Sequence, residues 1–422
     1  LGSGKAVVST PYWYAQELLA DDRGCLVDFN SSDALSDAVI RLLDDDFERN
    51  AIRKRAYQYC RKMVWEQVAT DYVELGNKII AEHIAQPKPH PSRDPVDVLE
   101  EMPRTNLDHV VRLTDDCGIL HHAVFTTPNR HSGYTTDDNA MALIACCMRY
   151  RRSQDTSMLT YISRYLAFLF YAFDAKSGRF RNTMTFHRTW DDVVGDEDSH
   201  GRALWGLGTA VKHAPTGEIR DMSARMFREA LPATETFRAP RALAFALLGT
   251  HAYLELYGGD SNARRLRDLL ANRLYDRFTE NADDDWPWLE DEVTYANGIL
   301  PLALMLSGQW IPKLEMHAMG IQALGWLLQT QTTVDGNLSL IGSDGWMQRN
   351  GERATFNQLP VEAMCLILAC CEAFRSTREE HWLEQARLCL DWFMGDNDLN
   401  ISLIDFRTGG CHDDLHREGV NQ

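Results

Sequence analysis

Four stretches of this chain set carboxylates beside aromatic and basic side chains where helices are expected to begin. GYTTDDNA places Asp137 and Asp138 after Tyr134 and ahead of the apolar run MALIACCM. DVVGDEDSHGR carries Asp198, His200 and Arg202, and WPWLEDEVTYANG carries Trp286, Trp288, Glu290, Asp291, Tyr295 and Asn297. GERATFNQLPVEAM adds Gln358 and Glu362, and the earlier doublet HH adds His122. Such a set suits a sugar, because pyranose C–H faces stack on rings while hydroxyls bond to acids and amides. Glycoside cleavage needs one carboxylic acid to protonate the leaving oxygen and a second carboxylate as base or nucleophile, about 5 to 5.5 Å away for retention or roughly 6.5 to 9.5 Å for inversion. The catalytic candidates are therefore Asp138, Asp198, Glu290, Asp291 and Glu362, with Glu290 or Asp291 as general acid and Asp138 or Asp198 as partner. Asp137, Tyr134, His122, His200, Arg202, Trp286, Trp288, Tyr295, Asn297 and Gln358 are the substrate-binding candidates.

Each stretch also has a purely structural reading. Asp137 or Asp138 could cap the helix that follows or meet its dipole, as could Asp198 and Glu362, the latter two residues after Pro360. The two tryptophans could cover the core instead of facing a ligand. His200 and His122 could be bases of an epimerase or isomerase, since an imidazole titrates near neutrality. No metal-ligand spacing stands out around His121, His122 and His131, so neither metal nor cofactor is expected.

These residues need elements to position them. From Asn106 the pattern is one of long helices, read at 137–151, 156–174, 199–214, 217–231, 239–257, 261–279, 295–308, 312–331, 360–376 and 378–394. They pair as five hairpins. The first helix of several pairs is apolar nearly all round, as in ALAFALLGTHAYL, and must be buried; the second is amphipathic, as in NARRLRDLLANRLYDRF, and packs over it. Repeated inner and outer helices close into a ring, so the expected fold is mainly α, an (α/α) toroid. Residues 106–422 resemble the six-hairpin glycosidase superfamily in this repeat and in SHGRALWGLG and WPWLEDEVTYANG. The resemblance implies that loops entering the inner helices converge in a funnel. It leaves the activity open, because one such fold hosts hydrolases, phosphorylases, epimerases and lyases. A non-catalytic module that holds glycan is the remaining alternative. GGCHDDLHREGVNQ leads toward a sixth hairpin that the sequence does not contain, with a helix near Leu107–Leu113 helping to close the ring.

Residues 1–86 alternate strand-like and helical runs: KAVVST and GCLVDF as strands, YAQELLA and DALSDAVIRLLDDD as helices with Asp33 as a cap, then helices from Phe47 to Met63 and from Trp65 to Ala85. GKAVVSTPYWYAQELLADDRGCLVDF resembles the C-terminal end of a GT-B glycosyltransferase of the retaining "group 1" class, implying a small Rossmann-like fragment. Residues 87–105, with five prolines, read as a linker.

Composition narrows the partners. With 43 basic and 61 acidic residues the net charge is −18, which disfavours nucleic acid and anionic membrane and leaves a sugar or oligosaccharide as the expected ligand. Ten cysteines without a CxxC read as buried thiols of a reducing cytosol. No apolar run is long enough to span a bilayer.

Overall fold

The computed structural model describes residues 1–85, 106–311 and 313–421, which fall into two compact units, Leu1–Asp97 and Val98–Gln422. The expected linker lies outside the described residues.

In the first unit, β1 (Val8–Ser9) pairs in parallel with β2 (Cys25–Leu26), joined by α1 (Trp13–Leu19). Helices α2 (Ser32–Asp44), α3 (Asp46–Cys60) and α4 (Trp65–Ala85) follow. The cap of α2 is Ser31, whose hydroxyl accepts from Ala34 N, and Asp33 sits in the first turn near the positive end of the dipole. Both expected strands form, but each is only two residues long.

The second unit begins with α5 (Asp108–Leu113) and the antiparallel strands β3 (Leu120–Val124) and β4 (Thr127–Thr135). Five helical hairpins follow: α6 (Thr136–Ser153) with α7 (Met158–Ala172), α8 (Glu197–His213) with α9 (Gly217–Ala230), α10 (Pro240–Leu254) with α11 (Ser261–Asn281), α12 (Ile299–Trp310) with α13 (Leu314–Gln331), and α14 (Pro360–Thr377) with α15 (His381–Met394). The even-numbered helices pack side by side in chain order, each with its odd-numbered partner against it. The apolar residues around α10, among them Leu243, Phe245 and Leu247, are buried on every side, as an inner helix requires.

Two glycines let α8 and α10 touch backbone to backbone. A Cβ on Gly208 would stand 2.1 Å from the carbonyl oxygen of Gly249, and one on Gly249 would stand 2.3 Å from that of Leu204. Any side chain there would push the inner ring apart. α6 starts on a Thr135 cap, carries Asp137 and Asp138 in its first turn and Arg151 and Arg152 in its last, and ends at Gln154 in the left-handed region. The acids and bases thus lie on the dipole-favourable ends.

Short antiparallel strands, Ile404–Asp405 with Gly410–Cys411 and Leu415–His416 with Gly419–Val420, occupy the C-terminal segment that follows the fifth hairpin. They tie the two ends of the ring together. Gln358, just before α14, exchanges backbone hydrogen bonds with Leu415, and His109 N of α5 donates to Thr408 O at 2.9 Å.

Candidate active site

The expected site residues lie at the N-terminal ends of the inner helices, where the intervening loops enter. They form two groups.

The first is built on β3. Successive strand residues normally face opposite sides, but the pairing with β4 shifts register between Leu120 and His122. A bulge of this kind brings neighbouring side chains to one side. The rings of His121 and His122 accordingly lie 3.9 Å apart between centroids. His121 Nδ1 is 2.6 Å from Asp138 Oδ2, and the Thr135 hydroxyl also donates to that oxygen. The hydrogen bond to Asp138 raises the His121 pKa against the opposing effect of burial. His122 Nδ1 stands 3.9 Å from Asp413 Oδ2 on the C-terminal segment. Both imidazoles line a cavity of about 490 Å³ whose other walls include Phe125, Arg407, His412 and Asp413.

The second group links α8, α10, α12 and α14. The Tyr295 hydroxyl donates to Asp198 Oδ2. Arg241 donates from Nε to Tyr295 O at 2.7 Å, from Nη2 to Asn297 Oδ1 at 3.2 Å, and from Nη1 to Glu290. Glu362, 1% exposed, accepts from Ala296 N and, at 3.1 and 2.8 Å, from Asn297 N and Nδ2. Burial raises the Asp198 carboxyl, with the Tyr295 hydrogen bond acting the other way. Burial also pushes Glu362 up to about 7, against its three N–H donors. The Arg202 guanidinium lies over the Phe245 ring at 4.5 Å.

Several expectations need correction. His200 is fully buried, with Nδ1 3.3 Å from Phe180 N and Nε2 3.1 Å from Ala230 O, so it is a core histidine and not a base at the mouth. Trp286 and Trp288 are 5% and 0% exposed; they pack on Trp326, and Trp288 also on Phe278, and offer no face to a sugar. The strong apolar surface of two indoles outweighed the polar loop around them. Tyr134 is buried with its hydroxyl 2.5 Å from Asp115, and Gln358 is buried between Trp392 Nε1 and Leu340 N. Glu362 and Asn297 serve the α12 entry turn. Asp291 is exposed and paired with Arg349. Neither Asp137 nor Asp138 is the N-cap of α6, which is Thr135; Asp138 turns to His121.

Two participants were missed. His121 was weighed only as a metal ligand, although an HH doublet in a strand next to an acidic helix start was a usable signal. Arg241 was not considered, yet an arginine within the apolar run RALAFALL must have a buried partner.

No family model and no curated protein matches the chain. Solved structures do. A sugar epimerase from a ruminal bacterium is similar with a TM-score of 0.58 at 13% identity, over 74% of this chain and 88% of that one. The cellobiose 2-epimerase from Bacillus thermoamylovorans B4167 gives 0.59 at 14% identity, over 75% and 90%. A D-mannose isomerase gives 0.58 at 9% identity, over 74% and 89%. At such identities the likeness establishes the fold, an (α/α) toroid of helical hairpins. The glycosyltransferase resemblance of residues 1–86 rests on the sequence alone.

Proposed function

We propose that the toroid is a sugar-modifying enzyme that transfers protons at carbon, an epimerase or isomerase acting on an aldose or on the reducing end of an oligosaccharide. The observation that carries this reading is the His121–Asp138 pair opening into a cavity beside His122. A general base needs an oriented imidazole with one nitrogen free. With Nδ1 donating to Asp138, Nε2 keeps its lone pair for the substrate. In the ring-opened sugar, the C2 proton next to the C1 carbonyl passes to His121 Nε2, leaving an enediolate, while Asp138 stabilises the imidazolium. Return of a proton to the opposite face of C2 gives the epimer, and return to C1 gives the ketose. In this reading His122, or His412 from the C-terminal wall, supplies it; both line the same cavity. The printed activities of the similar structures, two epimerases and an isomerase, support the same reaction class by analogy of fold.

The paired-carboxylate reading loses ground because its members are engaged elsewhere: Asp138 with His121, Glu290 with Arg241, Asp291 with Arg349. One observation keeps a glycosidase or phosphorylase as second reading. Burial raises the Asp198 carboxyl even against the hydrogen bond from Tyr295, and a raised carboxyl suits a general acid. The resemblance of residues 1–86 adds the proposal that this toroid works alongside glycosyl transfer.

The test is incubation with mannose, glucose and cellobiose in D₂O, followed by NMR. The proposal expects deuterium at C2, lost in His121→Ala and kept in Asp198→Asn. Release of reducing sugar from an oligosaccharide without C2 exchange, abolished by Asp198→Asn, would establish the second reading instead.

A further inference from the structure

A second cavity, of about 260 Å³, lies among the C-terminal ends of the inner helices α10 and α12 and the start of α11, away from the helix N-termini that carry the candidate active site. Its walls are His251, Leu254, Glu255, Arg264, Arg267 and Trp310. Arg264, Arg265 and Arg267 sit in the first two turns of α11, Arg264 and Arg265 near the positive end of its dipole. Two of the three are compensated. Arg265 pairs with Glu235 at 3.0 Å, off the cavity, and Arg267 gives Nε and Nη2 to Asp268 at 3.1 and 3.0 Å.

Arg264 has no hydrogen-bond or ion-pair partner for its side chain among the described residues, and Nη1 of the buried Arg267 has no acceptor there either. The acid that lines the cavity, Glu255, is already bound to Lys212 Nζ at 2.5 Å. His251 is turned to Ser307 through Nε2 at 3.2 Å. Trp310, the last residue of α12, is 64% exposed, whereas Ile299–Met305 of the same helix are buried. Two guanidinium groups with spare N–H donors beside an indole face are the chemistry of oxyanion recognition, since Arg matches carboxylate and phosphate geometry and an indole covers the ligand's body.

We propose that this cavity binds a small oxyanion, a carboxylate or phosphate carried on a compact body, held by Arg264 and Arg267 and covered by Trp310. It is separate from the His121–Asp138 site and does not depend on the reaction proposed for that site. A sugar acid and inorganic phosphate share this chemistry, and the experiment separates them.

Calorimetric titration of the full chain with glucuronate and with inorganic phosphate, in separate arms, is the test. At least one is expected to bind with a stoichiometry of about one. Arg264→Gln is expected to weaken that binding about tenfold or more, as loss of a charge-assisted hydrogen bond does. Arg265→Gln, which touches no cavity wall, should bind as the parent does. Binding of glucuronate alone assigns the site to sugar acids, binding of phosphate alone assigns it to phosphate, and binding of both assigns it to compact oxyanions of either kind. Arg264 is exposed, so its variant should fold, which a thermal melt checks. Failure of both anions to bind at about 10 mM, far above the micromolar to millimolar range of specific sites, overturns the proposal. So does equal affinity of Arg264→Gln and the parent.

Discussion

Replacing Glu362 by glutamine tests whether burial or hydrogen bonding governs the carboxyl that braces the α12 entry turn. In the fold this carboxyl rises from its ordinary 4.5 to about 7, with burial as the largest cause and the N–H groups of Asn297 and Ala296 opposing it. A raised acid binds more protons folded than unfolded between those two values, so its contribution to stability is present at low pH and lost as pH rises through about 7. At about 1.4 kcal/mol per pH unit across that interval, the loss is about 3 kcal/mol. Glutamine cannot ionise and so lacks this slope. It has its own cost, roughly 1–3 kcal/mol, because its NH₂ group must face one of three N–H donors. The Glu362→Gln protein should therefore be the less stable of the two at pH 5 and should match or exceed the parent at pH 8. Urea unfolding of the toroid transition at both values, followed by tryptophan fluorescence, measures the gap. A gap that stays constant to within about 0.5 kcal/mol would refute the reasoning. A gap that widens with pH would show that the three donors hold Glu362 ionised in spite of burial.

Other outcomes follow from the same geometry. Because the Asp138 hydrogen bond raises His121, activity that needs the neutral imidazole should rise with pH through the His121 titration; Asp138→Asn should move that limb to lower pH and cut kcat about 100-fold, read from a pH–rate profile. Gly249→Ala should destabilise the toroid by roughly 1–3 kcal/mol or more, since its Cβ would meet Leu204 O at 2.3 Å; a melt indistinguishable from the parent would disprove the backbone contact. Trp288→Ala should cost about 3–5 kcal/mol in urea unfolding without a selective change in sugar affinity, and a lost affinity at unchanged stability would restore the tryptophan to the sugar site.

The ten toroid helices were legible because their signals are local. Apolar residues all round RALAFALLGTHAYL, charge segregation in NARRLRDLLANRL and acids ahead of MALIACCM each act within a few turns, and the observed helices fall within a few residues of the expected ones. The side of each loop residue was harder to read. WPWLEDEV runs from two large apolar rings into three consecutive carboxylates, and nothing within it tells which will turn inward. The loop folds Trp286 and Trp288 against Trp326, far along the chain, and leaves Glu290 to meet Arg241.

Period and polarity along the chain determined which segments of this protein are helices, which of these are inner and which outer, and that acid-rich loops enter the inner ones. Only the tertiary structure decided which acids would be free to act. Whether a carboxylate finds a guanidinium, an imidazole or a set of backbone N–H groups depends on partners such as Arg241, His121 and Asn297, brought near from other turns of the ring. A side chain's local sequence carries no record of those distances, and over a few ångströms they decide its charge and its role.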